Sequence, residues 1–302
     1  MHQKIIIIGG PTASGKSARA LLLAEQTNGV IINADSQQVY RDLRILTARP
    51  SADEEASTPH RLYGFAPADE QFSAGKWLRL AKMEIDWALS QGQTPIVVGG
   101  TGLYLKALMQ GMADIPDIDE AVRSQAESDY GQMGKDAFAE RLRAVDPAFF
   151  TRLKVVDKQR LVRAYAVWLG SGKPLSFWQQ QKSAPFYAPE RFQLEIVELP
   201  RAELYARCDA RVLQMIEQGA VEEVSGIEEL KNWRTDSSIP QFLNSSIPLT
   251  KIIGVRELTA YIKKEISLDA AISAMQQKTR NYAKRQVTWF KHQLPSTSLF
   301  FS

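Results

Sequence analysis

Residues 10–17 read GPTASGKS and match the phosphate-binding pattern G-x-x-x-x-G-K-[ST] in full. In such a loop, glycines let successive backbone N–H groups point at an anion, and the following helix adds the positive end of its dipole. Lys16 supplies a positive charge, and the hydroxyl group of Ser17 is suited to bind Mg²⁺. An apolar β-branched run precedes the segment and a helical pattern follows it. We therefore predict a phosphate-binding loop rather than a chance glycine-rich turn.

A second candidate is Asp35, which ends an apolar run in the segment VIINADSQQVY. Sheets of parallel strands place their sites where the strands end. An aspartate at such a position can bind Mg²⁺ or take the proton of an attacking group. The alternative is that Asp35 only caps a following helix.

Thr101 follows a third apolar run, in PIVVGGTGLYLKAL. Its hydroxyl group either binds a ligand or caps a helix that begins at Gly102 or Leu103. The Gly-Gly-Thr-Gly pattern alone does not decide between these two roles.

Residues typical of nucleotide hydrolysis are missing from the sequence. The obvious candidate strand for an acidic Mg²⁺ ligand ends in glycines, in PIVVGGTG, and no Asn-Lys-x-Asp segment for reading guanine is present. We therefore predict that the loop binds a phosphate chain without hydrolysing a nucleotide.

Two basic segments form a further candidate site. TRLKVVDKQRLVRAY and KTRNYAKRQVTWFKH each hold five Lys or Arg residues, and Tyr282, Trp289 and Phe290 are interleaved in the second. This composition is typical of a surface that follows a phosphate backbone and stacks bases. The alternative is two solvated helix faces whose aromatic residues point into the core. Two such segments in a chain with a net charge of only +3 favour RNA binding.

Strands that alternate with helices predict an α/β fold, with a P-loop parallel-sheet core covered by helices. The predicted strands are residues 4–8, 30–34, 95–98 and 192–199, and the first core helices are residues 17–26 and 72–91. Residues 119–178 are helical in pattern and rich in charge, which predicts an inserted all-helical domain.

The predicted domains follow from these elements: a P-loop core at 1–114, a helical insertion at 115–190, and a resumed core with C-terminal helices at 191–302. Within the last, residues 201–224 predict one long amphipathic helix. Residues 232–248 predict a polar surface loop, and helices follow from 252 to 292.

The composition bounds the function. A single cysteine excludes an internal disulfide framework and a cysteine-based zinc site, and three histidines argue against a histidine-rich metal site. No apolar stretch reaches the roughly 18 residues of a membrane span, and no signal peptide is visible. We expect a cytoplasmic protein that does not contact a membrane.

The ordered set of motifs resembles the tRNA dimethylallyltransferases, or bacterial isopentenyl-tRNA transferases. The segments that carry the resemblance span nearly the whole chain: GPTASGKS, DSQQVYRDLRILTARP, FSAGKW, VGGTGLYLKALMQG, DKQRLVRA, LYARCDARVLQMIEQGAVEEV and TRNYAKRQVTWF. The resemblance implies transfer of the dimethylallyl group from dimethylallyl diphosphate to N6 of adenine 37, next to the anticodon of tRNA. It also implies that the P-loop binds a diphosphate leaving group rather than ATP.

The resemblance also implies roles for individual residues. Asp35 is expected to act as the general base, Thr101 to hold the amine, and Lys16 to stabilise the departing diphosphate. The expected diphosphate-binding residues are Gly10, Pro11, Thr12, Ala13, Ser14, Gly15, Lys16, Ser17 and either Arg207 or Arg211. The expected cofactor is Mg²⁺, held through Ser17.

The tRNA is expected to be gripped at its anticodon stem-loop by the helical insertion. The expected tRNA-binding residues are Asp35, Ser36, Gln37, Gln38, Thr101, Arg123, Gln159, Arg160, Leu161, Val162 and Arg163. We expect the enzyme to act as a monomer.

Two segments depart from the family pattern. PHRLYG (59–64) stands where the family often has Pro-His-His-Leu-Ile-Asp, and GVREL (254–258) lacks a usual Tyr. Three other functions remain as alternatives: a P-loop small-molecule or nucleotide kinase that uses ATP, an adenylate isopentenyltransferase, and a non-catalytic RNA-binding module.

Overall fold

A five-stranded parallel sheet lies at the centre of the larger of two structural units. The computed structural model describes residues 3–68, 70, 72–152, 156–181, 183–234 and 248–294. The core unit comprises Met1–Met109 and Tyr187–Ser302, and the helical unit comprises Gln110–Phe186. The unit boundaries fall a few residues before the domain boundaries predicted at 115 and 190.

The strands are β1 (Ile5–Gly9), β2 (Gly29–Asn33), β3 (His60–Arg61), β4 (Thr94–Gly99) and β5 (Phe192–Ile196). They are all parallel and lie in the order β3-β2-β4-β1-β5. β1 and β2 are buried along their whole length, which explains their continuous apolar runs. The predicted α/β class is confirmed. The two-residue β3 was not predicted because it is too short to show a periodic pattern.

The helices are α1 (Lys16–Thr27), α2 (Ala52–Ser57), α3 (Ala74–Ser90), α4 (Gly102–Gln110), α5 (Glu120–Val145), α6 (Pro147–Arg152), α7 (Lys158–Ser171), α8 (Leu175–Gln180), α9 (Arg201–Glu217), α10 (Ala220–Arg234), α11 (Val255–Ile262) and α12 (Leu268–Gln293). The prediction of one helix over 201–224 is wrong. Gly219 has a φ of 99°, a conformation that favours glycine, and it separates α9 from α10.

Some predicted features lie outside the described residues. α10 continues to Arg234, and residues 235–247 of the predicted polar loop are outside the described ranges. The same holds for Lys154 of the first basic segment and for the apolar tail at 295–302. Among the described helices, none combines the length and the apolar composition that a membrane crossing requires.

The carboxyl ends of β2, β4 and β1 lie side by side, so the segments that follow these strands meet at one edge of the sheet. The approach is closest between β2 and β4, since a Cβ atom on Gly99 would lie 2.1 Å from the carbonyl oxygen of Ala34. The Thr101 N–H donates to the same carbonyl oxygen at 3.2 Å. The glycine that ends β4 therefore brings Thr101 against the segment that carries Asp35.

The helical unit has its own apolar core, centred on α5 and α7. The rings of Phe138 and Tyr165 pack with centroids 4.8 Å apart. Asp157 caps α7 by accepting the N–H of Arg160 at 2.9 Å. This cap fixes the start of the helix on which the predicted tRNA-binding residues lie.

Glu223 on α10 holds the loop that follows Asp35. Its carboxylate accepts the backbone N–H groups of Arg44 at 2.6 Å, Ile45 at 2.7 Å and Leu46 at 3.0 Å. Hydrogen bonds to a charged acceptor stabilise more than neutral ones, so this carboxylate anchors a loop that has no helix or strand of its own.

We predict that Glu223→Ala lowers the free energy of unfolding by about 2 kcal/mol, because three N–H groups lose a charged acceptor. Urea unfolding followed by tryptophan fluorescence measures the change. The exposed neighbour Glu222 provides the control, and Glu222→Ala should stay within about 0.5 kcal/mol of the parent. Equal losses for the two variants would contradict the anchoring role.

Candidate active site

One cavity of the core unit brings together residues from five separate parts of the chain. Its polar lining comprises Thr12, Lys16, Ser17, Asp35, Gln37, Gln38, Thr47, Arg211, Thr279 and Tyr282. Its apolar lining includes Leu46, Val98, Val212, Met215, Ile253 and Met275. The cavity therefore has charged groups beside an apolar wall, and it joins the phosphate-binding loop to Asp35.

The loop at residues 10–17 takes the shape that its glycines predict. Gly10, Ala13 and Gly15 have positive φ angles of 148°, 62° and 94°. A Cβ atom on Gly10 would lie 2.6 Å from the carbonyl oxygen of Val197, so only glycine fits there. The chain passes directly from this turn into α1 at Lys16, which places the amino end of the helix at the cavity.

The surroundings of Lys16 disfavour its charged form. Its Nζ donates to the carbonyl oxygen of Pro11 at 2.5 Å. Burial lowers the pKa of Lys16 from 10.5 to about 8, while the nearby Asp35 raises it and the nearby Arg211 lowers it further. An anion bound at the loop would favour the charged form of this lysine.

Two serines of the loop present hydroxyl groups in different ways. Ser17 is exposed in the first turn of α1 and lines the cavity. Ser14 is only 3 % exposed, and its Oγ has no hydrogen-bond partner among the described residues. A buried hydroxyl without a partner costs stability unless a ligand engages it. This supports the prediction that the interior of the loop receives an anion.

Asp35 is oriented by its neighbours. Asn33, at the end of β2, accepts the Asp35 N–H at 2.8 Å and donates to the Asp35 carbonyl oxygen at 3.0 Å. The Asp35 Oδ1 accepts the Gln37 N–H at 2.9 Å, which closes a tight turn. The alternative of a helix cap is wrong, since residues 35–50 contain no helix. The described residues donate no hydrogen bond to Oδ2.

Thr101 joins the ends of β2 and β4 through its side chain. Its Oγ1 accepts the Ser36 N–H at 2.9 Å and donates to the Ser36 hydroxyl oxygen at 3.2 Å. The hydroxyl group therefore does not cap α4, the second of the two roles considered. One lone pair of Oγ1 remains to accept a hydrogen bond from a ligand.

The Gln38 side chain stabilises the loop that follows Asp35. Its side-chain amide donates to the carbonyl oxygens of Thr47 at 2.9 Å and Ala48 at 2.8 Å. Both donors of the Gln38 amide are therefore used within the protein, whereas Gln37 lines the cavity without such a bond among the described residues. Of these two predicted tRNA-binding residues, Gln37 has the freer side chain.

The two candidate arginines of α9 occupy different places. Arg211 lines the cavity, where burial lowers its pKa and Asp35 raises it. Arg207 is about half exposed and pairs with Glu203 at 2.7 Å. Its Nη1 lies 3.7 Å from where a Cβ atom on Gly15 would be, so it is beside the loop but not in the cavity lining.

α12 contributes four residues to the site, of which the sequence singled out only Tyr282. Met275, Thr279, Tyr282 and Gln286 follow one helical face, and the first three line the cavity. Gln286 is buried and hydrogen-bonds to Thr12 and to Gly100. The sequence shows the helical spacing of these residues. The basic residues of the same segment instead favoured its interpretation as an RNA-binding surface.

The aromatic residues of the second basic segment point inward. Phe290 is buried, with its ring against Gly9, and the Trp289 ring lies against Gly102. Burial, with a smaller contribution from Asp35, raises the pKa of Tyr282, which lines the cavity. Phe290 therefore fills the core and Trp289 is partly buried, as the alternative interpretation of this segment predicts.

The predicted residues of the helical unit divide by exposure. Gln159, Arg160 and Arg163 are exposed, whereas Leu161 and Val162 pack in the core of the unit. Any tRNA contact made by the latter two must use their backbone. Partial desolvation of its guanidinium group and the proximity of Arg123 lower the pKa of Arg163, so α5 and α7 place two guanidinium groups close together.

The residues present fit a magnesium ion. Within the described ranges, no three His, Cys, Asp or Glu side chains converge as a metal centre built from protein ligands alone requires. The Ser17 hydroxyl and the Asp35 carboxylate line the same cavity as the anion-binding loop. Mg²⁺ commonly uses one or two such oxygens and completes its shell with phosphate and water.

The two departures from the family pattern have structural roles away from the cavity lining. Arg61 pairs with Glu84 at 3.5 Å and stacks over the ring of Trp87. Gly64 leaves room for the guanidinium group of Arg49, whose Cζ lies 2.0 Å from where a Cβ atom would be. In GVREL, the Glu257 carboxylate accepts the Gly254 N–H at 2.9 Å and pairs with Lys278.

We predict that binding of inorganic diphosphate weakens as the pH rises above about 8, because Lys16 is charged only below its pKa. The loss should reach up to about tenfold per pH unit. Calorimetric titration between about pH 7 and about pH 9.5 measures this loss of affinity. The Lys16→Arg variant keeps its charge and reveals any pH dependence of the ligand itself. Identical profiles for both proteins would contradict the prediction.

Comparison with known proteins identifies the family of this chain. The model of the IPP transferase family matches residues 38–293. The chain is 47% identical to a tRNA dimethylallyltransferase of Rhodospirillum centenum over 98% of this chain and 91% of that protein. It is 44% identical to a tRNA dimethylallyltransferase of Caulobacter sp. over 97% of this chain and 91% of that protein.

Solved structures give the same result. A tRNA isopentenylpyrophosphate transferase of Staphylococcus epidermidis is 30% identical, with a TM-score of 0.66 over 99% of this chain and 93% of that one. A eukaryotic dimethylallyltransferase acting on tRNA is 27% identical, with a TM-score of 0.78 over 95% of this chain and 70% of that one. Since the family model covers most of the chain and relatives match it nearly from end to end, this chain belongs to the IPP transferase family.

Proposed function

We propose that this protein transfers the dimethylallyl group of dimethylallyl diphosphate to N6 of adenine 37 beside the anticodon of tRNA. The products are N6-isopentenyladenosine and diphosphate. The observation that carries the proposal is that the phosphate-binding loop with Lys16 and the carboxylate of Asp35 face one cavity with an apolar wall. The names of the relatives, tRNA dimethylallyltransferases, support the same reaction.

The loop at residues 10–17 binds and stabilises the diphosphate leaving group. The backbone N–H groups of residues 12–17 and the charge of Lys16 stabilise the negative charge that develops on the departing diphosphate. Arg211, which lines the cavity, adds a second cation, and Arg207 lies at the outside of the loop. Ser17 would hold a bound Mg²⁺, which would neutralise part of the diphosphate charge.

Asp35 and Thr101 activate and position the N6 amine of adenine. The N6 lone pair is delocalised into the adenine ring, so the amine is a weak nucleophile. It forms a bond to C1 of the allyl group while the bond from C1 to the diphosphate oxygen breaks, and the electron pair leaves with the diphosphate. Asp35 takes the N6 proton, and the remaining lone pair of the Thr101 hydroxyl oxygen holds the amine in line.

The apolar wall suits the carbon chain of the donor. Val212, Met215 and Met275 are almost fully buried at their places in the cavity lining. A five-carbon group that packs against them is removed from water. This burial stabilises binding by about 25 cal/mol per Å² of apolar surface. Exclusion of water also protects the allylic carbon from hydrolysis as positive charge develops on it.

The target base must leave its stack to react, so the protein must also hold the nucleotides around it. We assign this role to the helical insertion, where Arg123, Gln159, Arg160 and Arg163 meet the anticodon stem-loop, and to residues 35–38 of the core unit. Three basic residues on the exposed face of α12 add positive charge for the RNA backbone: Lys284, Arg285 and Lys291.

We further propose that the enzyme acts as a monomer in the cytoplasm.

We predict that the protein incorporates label from dimethylallyl diphosphate into unmodified tRNA with Mg²⁺ present, and that Asp35→Asn lowers kcat by about 100-fold or more. Asparagine keeps the oxygen that accepts the Gln37 N–H, so the turn is preserved while the proton acceptor is lost. The tRNA Kd should change by less than about threefold.

Asp42→Asn, in the same loop but outside the cavity lining, is the matched control and should retain its kcat. Label on AMP but not on tRNA, or ATP consumed without prenyl transfer, would replace this function with an alternative one. A near-normal kcat for Asp35→Asn would overturn the general-base assignment alone.

We further predict that Arg211→Ala reduces kcat/KM for dimethylallyl diphosphate by about 100-fold, because a cation beside the leaving group is lost from a buried cavity. Arg207→Ala should cost less than about threefold, since this exposed arginine is already paired with Glu203. Steady-state kinetics at saturating tRNA compare the two. A larger loss for Arg207→Ala would reverse the assignment.

A further inference from the structure

The side chain of Gln286 joins two segments of the candidate active site. Its Oε1 accepts the N–H of Thr12, in the phosphate-binding loop, at 2.8 Å. Its Nε2 donates to the carbonyl oxygen of Gly100, directly before Thr101, at 2.9 Å. Gln286 is 6 % exposed and reaches these partners from α12, near the other end of the chain.

The surroundings leave little freedom for this bridge. A Cβ atom on Gly100 would lie 2.3 Å from the Gln286 Nε2, so the helix and the turn are in close contact. One turn further along α12, the rings of Trp289 and Phe290 pack against Gly102 and Gly9. The same helix therefore holds the ends of β1 and β4 through ring contacts and through one amide.

A primary amide is the side-chain group that meets both demands, since it presents an acceptor and a donor in one plane. A carboxylate at this position would accept from Thr12 but would face the Gly100 carbonyl oxygen without a proton to donate. An apolar side chain of equal length would leave a buried N–H and a buried C=O without their partner.

We propose that Gln286 is a positioning residue that sets the distance between the diphosphate-binding loop and the turn that holds Thr101. This inference rests on the proposed prenyl transfer. In that reaction the loop carries the allyl donor and the Thr101 turn carries the amine, so the bridge fixes the spacing between C1 and N6. A displacement of about 1 Å between reacting atoms can cost about 100-fold in rate.

The first test replaces the amide by an apolar side chain of similar length. Gln286→Met should lower kcat by about 10- to 100-fold, while the KM for dimethylallyl diphosphate rises by less than the fall in kcat. The tRNA Kd should stay within about threefold, because the residue is buried. The matched control is Gln276→Met on the same helix, where the amide donates to the Asp209 carbonyl oxygen at 3.3 Å, and it should retain its kcat.

A purely structural role for Gln286 predicts another pattern. In that case the loss of activity would follow the fraction of unfolded protein, measured by thermal unfolding, and kcat per folded enzyme would match that of Gln276→Met. This result, or a loss confined to KM, would overturn the inference.

A second variant keeps the test decisive if Gln286→Met does not fold. The carboxyl group introduced by Gln286→Glu can donate to Gly100 only when protonated, and burial raises its pKa. The ratio of kcat between this variant and the parent should rise as the pH falls from about 8 to about 6, a range in which tRNA is stable. The ratio removes the titration of groups that both proteins share. A flat ratio would overturn the inference.

The parent protein separates this inference from the proposed function. If the parent does not prenylate tRNA, the proposed function fails. The bridge is then tested by titration with inorganic diphosphate, which Gln286→Met should bind several-fold more weakly than Gln276→Met, because the Thr12 N–H is no longer held. Prenylation by the parent with unchanged kinetics in both Gln286 variants overturns the bridge alone.

Discussion

The close approach of β2 and β4 at their carboxyl ends is the constraint on which the site depends. Gly99 allows the carbonyl oxygen of Ala34 to lie where a larger residue would place its side chain. That contact puts Thr101 against Ser36 and sets the turn of Asp35 beside the loop that follows β1. The Asp35 carboxylate and the loop at residues 10–17 therefore share one cavity, although more than 15 residues of sequence separate them.

The electrostatics of this cavity follow from that geometry. Lys16 and Arg211 bring two cations beside the carboxylate of Asp35, and burial makes each cation costly to keep charged. A diphosphate would favour the charged form of both residues, and its departure with the electron pair of a carbon–oxygen bond would make the interaction strongest as the bond breaks. The same loop geometry would hold the phosphates of ATP. What distinguishes this site is Asp35 at an apolar wall that suits a hydrocarbon group.

The sequence predicted the parts of the site that local patterns determine. Lys16, Asp35 and Thr101 each follow an apolar strand, and a parallel sheet brings such positions together. Arg207 and Arg211 lie one helical turn apart on α9, and spacing alone cannot tell which of them reaches the cavity. The contacts of Gln286 are between residues far apart in sequence, so no local pattern reports them. The break at Gly219 and the two-residue β3 depend on packing in the same way.

In the proposed reaction, the phosphate-binding loop holds a group that departs rather than one that is transferred. The most direct measurement follows inorganic diphosphate release and N6-isopentenyladenosine formation in the same reaction of enzyme, dimethylallyl diphosphate, Mg²⁺ and unmodified tRNA. We expect one diphosphate to be released for each adenine modified, and ATP to be neither required nor consumed. Phosphate transfer to an acceptor, or ATP turnover without a prenylated adenine, would contradict the proposed reaction.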